Sequence, residues 1–130
     1  MRVSTQTLYW SIWLIASLGA AGAIGYTLFE AEDKTLLIMG GGGRVGYYAI
    51  QWARRAGAKV IATASNPNDK TACMDAGADQ VVNHHAEDFA QQVVEVNKGA
   101  LIDRVIDLEF GTNLPVSVEV LRVGGTIAAY

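Results

Sequence analysis

The sequence predicts an α/β fold built on an open parallel sheet with helices on both faces. Three observations carry that expectation. Short apolar runs recur along the chain, segments of helical periodicity separate them, and a cluster of glycines stands where the first run gives way to the first helix. Strands that alternate with helices favour parallel pairing through right-handed crossovers, which cover both faces of the sheet.

The elements follow in order. Leu36 to Met39 is a continuous apolar run, as expected of a strand buried on both faces. From Val45 the apolar positions Val45, Ala49, Trp52, Ala53 and Ala56 fall at helical spacing, and Gly57 stands where a C-terminal glycine ends a helix. "KVIATAS" is the second strand. Asn66 to Lys70 reads as a turn around Pro67, and Thr71 to Ala76 as a short helix stopped by Gly77. "DQVVN" is the third strand, Ala86 to Asn97 a helix closed by Lys98 and Gly99, and "RVIDL" the fourth strand. Leu114 to Leu121 predicts a helix with Pro115 in its first turn, and Gly124-Gly125 turns into a fifth strand, "TIAAY".

The bulk properties narrow the function. The 130 residues suit one domain of ordinary size, and 51% hydrophobic content supplies a core. The net charge of −3 and the lack of a long basic run argue against nucleic acid as a partner. One cysteine, Cys73, excludes an intrachain disulfide and a Cys-rich metal site, and reads as a small packed side chain on a helix. Leu8 to Phe29 contains no charge and is long enough to span a bilayer, so residues 1–30 form an apolar helical segment distinct from a second unit, 31–130. Two readings of that segment stand: a helix packed on the following domain, which predicts a cytoplasmic protein, and a membrane anchor. Ser, Thr and Gly recur within it and the flanking charges give no strong topology signal, which favours the packed helix.

The glycines point to a ligand. Gly41, Gly43 and Gly46 fit G-x-G-x-x-G in register, after a strand and at the opening of a helix. In that pattern the first glycine makes a tight turn, the second lets the backbone approach a pyrophosphate, and the third lets the helix pack closely on the strand. Free N–H groups and the positive end of the helix then face the phosphates. Gly41, Gly42, Gly43, Arg44, Val45 and Gly46 are therefore expected to bind a dinucleotide, in a Rossmann-type domain that occupies residues 31–130. Two other phosphate-binding patterns fail. A P-loop requires lysine where Tyr47 stands, and a short-chain dehydrogenase requires glycine where Tyr48 stands, together with a Tyr-x-x-x-Lys pair that the sequence lacks.

From about Thr35 onward the chain resembles the medium-chain dehydrogenase/reductase superfamily, in particular its zinc-independent quinone oxidoreductase branch, the zeta-crystallin-like enzymes. The resemblance rests on "GGGGRVGYYAIQWARRAGAKVIATAS", "DAGADQVVNHHAEDF", "IDRVIDLEFG" and "LRVGGTIAAY", in the family's order and spacing. "SLGAAGAIGYTLFEA" is similar to the helix that leads into the family's nucleotide domain. The resemblance implies an oxidoreductase, alcohol dehydrogenase-like, that transfers hydride from NADPH to a quinone or enone without zinc. Family members are more than twice as long and carry an N-terminal barrel and further strands, so the chain is expected to be a truncated nucleotide-binding half. His84 replaces the family's usual tyrosine, and Asp69 stands where a lysine is often found, with Lys70 beside it.

Cofactor choice is read at the end of the second strand, where NAD-binding sheets place an acid on the ribose hydroxyl. Thr63, Ala64 and Ser65 are uncharged there, which permits a 2′-phosphate. Ser65 can donate to it, and Arg44 or Lys70 can reach it as cations, although Lys70 also reads as a solvated turn lysine. NADPH is thus expected over NADH, with Ala64, Ser65 and Lys70 around the ribose. The resemblance implies that Glu109 and Phe110 line the cofactor cleft on the nicotinamide side; a structural or solvent-facing acid is the equal alternative, and Asp107 with Glu109 also suggests paired acids. No catalytic side chain is assigned. His84 and His85 suggest metal binding, but neighbours at a strand end point opposite ways and no third ligand is spaced near them, so they read as a polar loop near the adenosine. Trp10, Trp13 and Trp52 read as core or interface aromatics. A sheet edge near Tyr130 predicts self-association into a homo-oligomer. A non-catalytic nucleotide-binding module that senses redox state stays open as the second function class.

Overall fold

The computed structural model describes residues 31–108 and 110–129, so the segment 1–30, Glu109 and Tyr130 lie outside the described residues. Among the described residues five strands and four helices alternate: β1 (Thr35–Met39), α1 (Arg44–Arg55), β2 (Lys59–Ala64), α2 (Pro67–Ala76), β3 (Gln80–Asn83), α3 (Phe89–Val96), β4 (Ile102–Asp107), α4 (Phe110–Val120) and β5 (Leu121–Ala129). The strands form one parallel sheet in the order β3-β2-β1-β4-β5. This is the expected open, doubly covered Rossmann-type sheet.

Both faces are packed, and the alternation along β1 explains how. Leu36 and Ile38 point into one core with Ala49, Ile50 and Ala53 of α1 and Cys73 of α2. Leu37 and Met39 point into the other, with Phe89 and Val93 of α3 and Val120 of α4. Leu36, Leu37 and Ile38 are completely buried, and each such side chain contributes roughly 1.5–3 kcal/mol of transfer free energy. Asp103, on β4, fixes the opposite end of the sheet: its carboxylate accepts from Thr35 N at 2.8 Å and from Arg122 Nε at 2.6 Å. Among the described residues no helix is long and apolar enough to cross a membrane.

Several boundaries differ from the expectation for identifiable reasons. The turn expected at Asn66 to Lys70 is the first turn of α2. Asn66 caps it by accepting from Asp69 N at 2.8 Å, and Pro67 occupies the first helical position, where its missing N–H costs nothing. The helix expected from Ala86 begins only at Phe89, because Ala86 closes a turn onto Asn83 and Phe89 N bonds Ala86 O. The fourth strand starts at Ile102 and ends at Asp107, earlier at each end than expected. α4 starts at Phe110, so Pro115 lies inside the helix and not in its first turn. β5 starts at Leu121, but regular pairing with β4 resumes only at Thr126. The intervening residues bulge, with Gly124 at φ +76°. The glycine pair thus makes a bulge within a strand instead of a turn before one.

Candidate nucleotide-binding site

β1 pairs with both β2 and β4, so the strand order reverses at β1, and a crevice opens beyond the carboxyl ends of these strands. The glycine turn lies there. Gly40 leaves β1 at φ +76°, a conformation that favours glycine. Its N–H donates to the Thr63 hydroxyl at 2.8 Å, and Gly41 N donates to Thr63 O at 3.1 Å, so β2 holds the turn by one residue's side chain and backbone together. Gly43 N donates back to Gly40 O at 3.1 Å and closes the turn.

The glycines divide the work differently from the expectation. The left-handed turn belongs to Gly40, and Gly41 is a packing residue. A Cβ on Gly41 would lie 2.9 Å from Cys73 Sγ and 3.0 Å from Ala62 Cβ. A Cβ on Gly46 would run into Gly40 O and stand 2.7 Å from Gly41 Cα, so the third glycine permits the close helix–strand contact, as expected. Gly43 is exposed, and a Cβ there would meet nothing nearer than Gly40 O at 3.5 Å. It is the N-cap of α1, which receives no side-chain cap and has no acid in its first turn. The leading N–H groups and positive end of α1 are therefore presented at an open backbone surface. Gly42 faces Asp69: a Cβ there would stand 2.5 Å from both Cβ and Cγ of that side chain.

Two concavities meet the end of β2, the first of them lined by the turn. The first, about 380 Å³, is lined by Gly40, Gly43, Arg44, Val45, Thr63, His84, Leu108 and Asn113, with Met39 at its base. The second, about 420 Å³, is lined by Ala64, Ser65, Asn66, Pro67, Lys70 and the end of β3. The residues singled out in the sequence are thus brought together in two neighbouring groups: Gly43, Arg44 and Val45 in one, Ala64, Ser65 and Lys70 in the other. Gly41 and Gly46 lie buried beneath them. Phe110 begins α4 beyond the end of β4, and Glu109 lies outside the described residues.

Two lining residues, Thr63 and Asn113, escape sequence reasoning. Thr63 was counted only as an uncharged strand residue, yet it anchors the turn. Asn113 was not singled out. It donates from Nδ2 to Asp107 Oδ1 at 3.0 Å, and the buried Asp107 carboxylate also accepts from Ser117 Oγ at 3.2 Å. A carboxylate accepts only, so Nδ2 must face Asp107. Asp107 is thereby engaged in holding α4, which argues against the acid-pair reading. His84 stands in the first concavity beside the glycine turn. The two histidines do not point apart: their ring centroids are 4.2 Å apart, because β3 ends at Asn83 and the alternation of a strand stops with it. Among the described residues no group of three or more His, Cys, Asp or Glu side chains gathers so as to hold a metal.

Cys73 lies directly under the turn. Burial first, and the Asp69 carboxylate second, push its thiol up to about 11. A neutral, fully buried thiol is a packing group, as expected.

Comparison with known proteins agrees with this geometry. A family model for zinc-binding dehydrogenases matches residues 45–130. The chain is 31% identical over 98 residues to a quinone oxidoreductase of Salmonella typhimurium, covering 75% of this chain and 30% of that protein. The structure of Escherichia coli quinone oxidoreductase complexed with NADPH superposes with a TM-score of 0.71 at 28% identity, over 83% of this chain and 36% of the other. An NAD-dependent alcohol dehydrogenase superposes with a TM-score of 0.78 at 29% identity, over 85% and 32%. The chain therefore spans about a third of the length of these three proteins.

Proposed function

The chain belongs to the zinc-binding dehydrogenase family within the medium-chain dehydrogenase/reductases, and from that premise we propose that residues 31–130 are the dinucleotide-binding domain of a cytoplasmic, NADPH-dependent reductase of quinones or enones. One observation carries the reading. The turn pinned to Thr63 leaves Gly43 open at the uncapped end of α1, at the point where the strand order reverses. A pyrophosphate needs such a surface: backbone without side chains, unsatisfied N–H donors and a positive helix end.

In this reading Gly43, Arg44 and Val45 hold the pyrophosphate, while Gly41, Gly42 and Gly46 shape the turn that presents it. Ala64, Ser65 and Lys70 receive the adenosine ribose in the second concavity. The uncharged end of β2 favours NADPH over NADH. Glu109 and Phe110 border the nicotinamide side. A bound nicotinamide cofactor would supply the hydride, and the protein would supply position and exclusion of water. An NADPH-bound quinone oxidoreductase among the similar structures supports the cofactor and acceptor class.

Calorimetric titration of the 130-residue chain with NADPH and NADH tests the proposal. Saturable binding, tighter for NADPH, is expected; no heat with either would end it. Turnover of a simple benzoquinone by the 130-residue chain on its own is expected to be low, because an acceptor must be held against the nicotinamide in a cleft that excludes water, and both concavities lie at the surface beyond the strand ends. Steady NADPH consumption above the uncatalysed rate would show that the acceptor site is more complete than this. β5 pairs only with β4 among the described residues; self-association of the 130-residue chain through strand pairing is part of the proposal, and light scattering would detect it.

A further inference from the structure

The first turn of α2 carries an anion that the cofactor reading does not use. Asn66 holds Asp69 twice: its Oδ1 accepts from Asp69 N at 2.8 Å, and its Nδ2 donates to Asp69 Oδ2 at 2.8 Å. This fixes the side chain over the glycine turn, where Gly42 has room for it only because it lacks a Cβ. Asn66 itself lines the second concavity with Ser65 and Lys70. A fixed carboxylate therefore stands between the turn proposed for the pyrophosphate and the groove proposed for the ribose, one hydrogen bond from the wall of that groove.

We infer that Asp69 is a specificity-determining residue, which weights this site against a phosphate on the adenosine ribose and leaves a ribose hydroxyl unpenalised. The inference rests on the dinucleotide-binding reading. A 2′-phosphate in the groove of Ser65 and Lys70 would share that wall with Asn66, which holds the Asp69 carboxylate, and two anions so placed repel. Lys70 attracts the same phosphate, and the net preference is the balance of the two neighbouring side chains. Asp69 also has a plain structural task, because an acid in the first turn with a capping Asn66 stabilises α2. That task affects every ligand alike, whereas charge repulsion acts on the phosphorylated cofactor alone.

The test is binding of NADPH, NADH, 2′,5′-ADP and 5′-AMP to the full chain and to Asp69→Asn, by calorimetry at low and high salt. Asparagine keeps a side-chain oxygen for the Asn66 amide and removes the charge. NADPH and 2′,5′-ADP should tighten on the order of fivefold at low salt, NADH and 5′-AMP less than twofold, and the gain should shrink as salt rises. If all four ligands shift by one common factor, or none shifts, Asp69 is a cap and nothing more. Asp69→Ser, which retains a first-turn hydroxyl, provides the same comparison should the asparagine variant fold poorly. A parent chain that binds neither dinucleotide overturns the reading beneath the inference. A parent chain that binds both, with a ratio insensitive to Asp69, overturns the inference alone.

Discussion

The two flanks of β1 are built to different tolerances. On the β2 side, turn, helix and strand meet with no spare volume: Gly41 and Gly46 each lie where one carbon more would collide, and Thr63 bonds the turn with both hydroxyl and carbonyl. On the β4 side, α4 carries a proline in its interior, and β5 bulges before it pairs regularly. Leu114, Val118 and Val123 are exposed there, Val123 to 96%. The half proposed to grip the phosphates is thus closely packed, while the half beyond β4 leaves apolar side chains exposed. Binding and turnover then become separable properties of this chain.

The widest gap between the flanks should appear in stability. Gly46→Val puts two methyl groups and a Cβ into backbone of the glycine turn, and such backbone cannot move aside. A loss of about 3 kcal/mol or more is expected, up to failure to fold. Chemical denaturation measures it, and a variant as stable as the parent would mean that the helix does not sit this close to the strand.

A smaller and more local effect is expected three residues earlier. Gly43→Val meets only ordinary contact with Gly40 O, at φ −77° and ψ 168°, which valine readily adopts. The circular dichroism and unfolding midpoint should stay near the parent's, while NADPH affinity falls by about tenfold or more as the side chain occupies the approach to the N–H groups. Equal losses of stability in Gly43→Val and Gly46→Val would erase the distinction between a shaping glycine and a contacting one.

Cys73 reports the tightness of the same flank through pH. Its thiol is raised from 9.0 to about 11 in the folded chain, so the fold favours the protonated form. The associated stability is fully present below pH 9 and is lost as pH rises from 9 through 11. Iodoacetamide should leave the folded chain nearly unlabelled at pH 8.5 and modify it readily in denaturant. Rapid labelling of the native chain would show that the contact between α2 and the turn opens. The least effect belongs to the open flank, where Val123→Thr should change stability by no more than about 0.5 kcal/mol.

The same contrast governs what could be read from the sequence. The turn, α1 and the buried strands were legible because their signals are local: a glycine spacing, a helical period and apolar runs. The start of α2 was misread because Pro67 and Asn68 suggest a turn, and the cap that makes it helical is a side-chain bond from Asn66. Thr63 and Asn113 were missed because their roles rest on tertiary contacts, the first to Gly40 across 23 residues and the second to a buried Asp107. The bulge in β5 was invisible for a related reason. Gly124 has the same identity whether it turns before a strand or bends within one, and only the partner strand decides.

The most direct test of the central claim, that the glycine turn pinned by Thr63 is a dinucleotide site, is a titration of the isotope-labelled chain with NADPH, followed by backbone amide chemical shifts. The largest shifts are expected at Gly40 to Gly46 and Thr63 to Ser65, with Arg122 to Gly125 unchanged. Shifts that leave the glycine turn untouched and gather instead along α3 and α4 would contradict the claim.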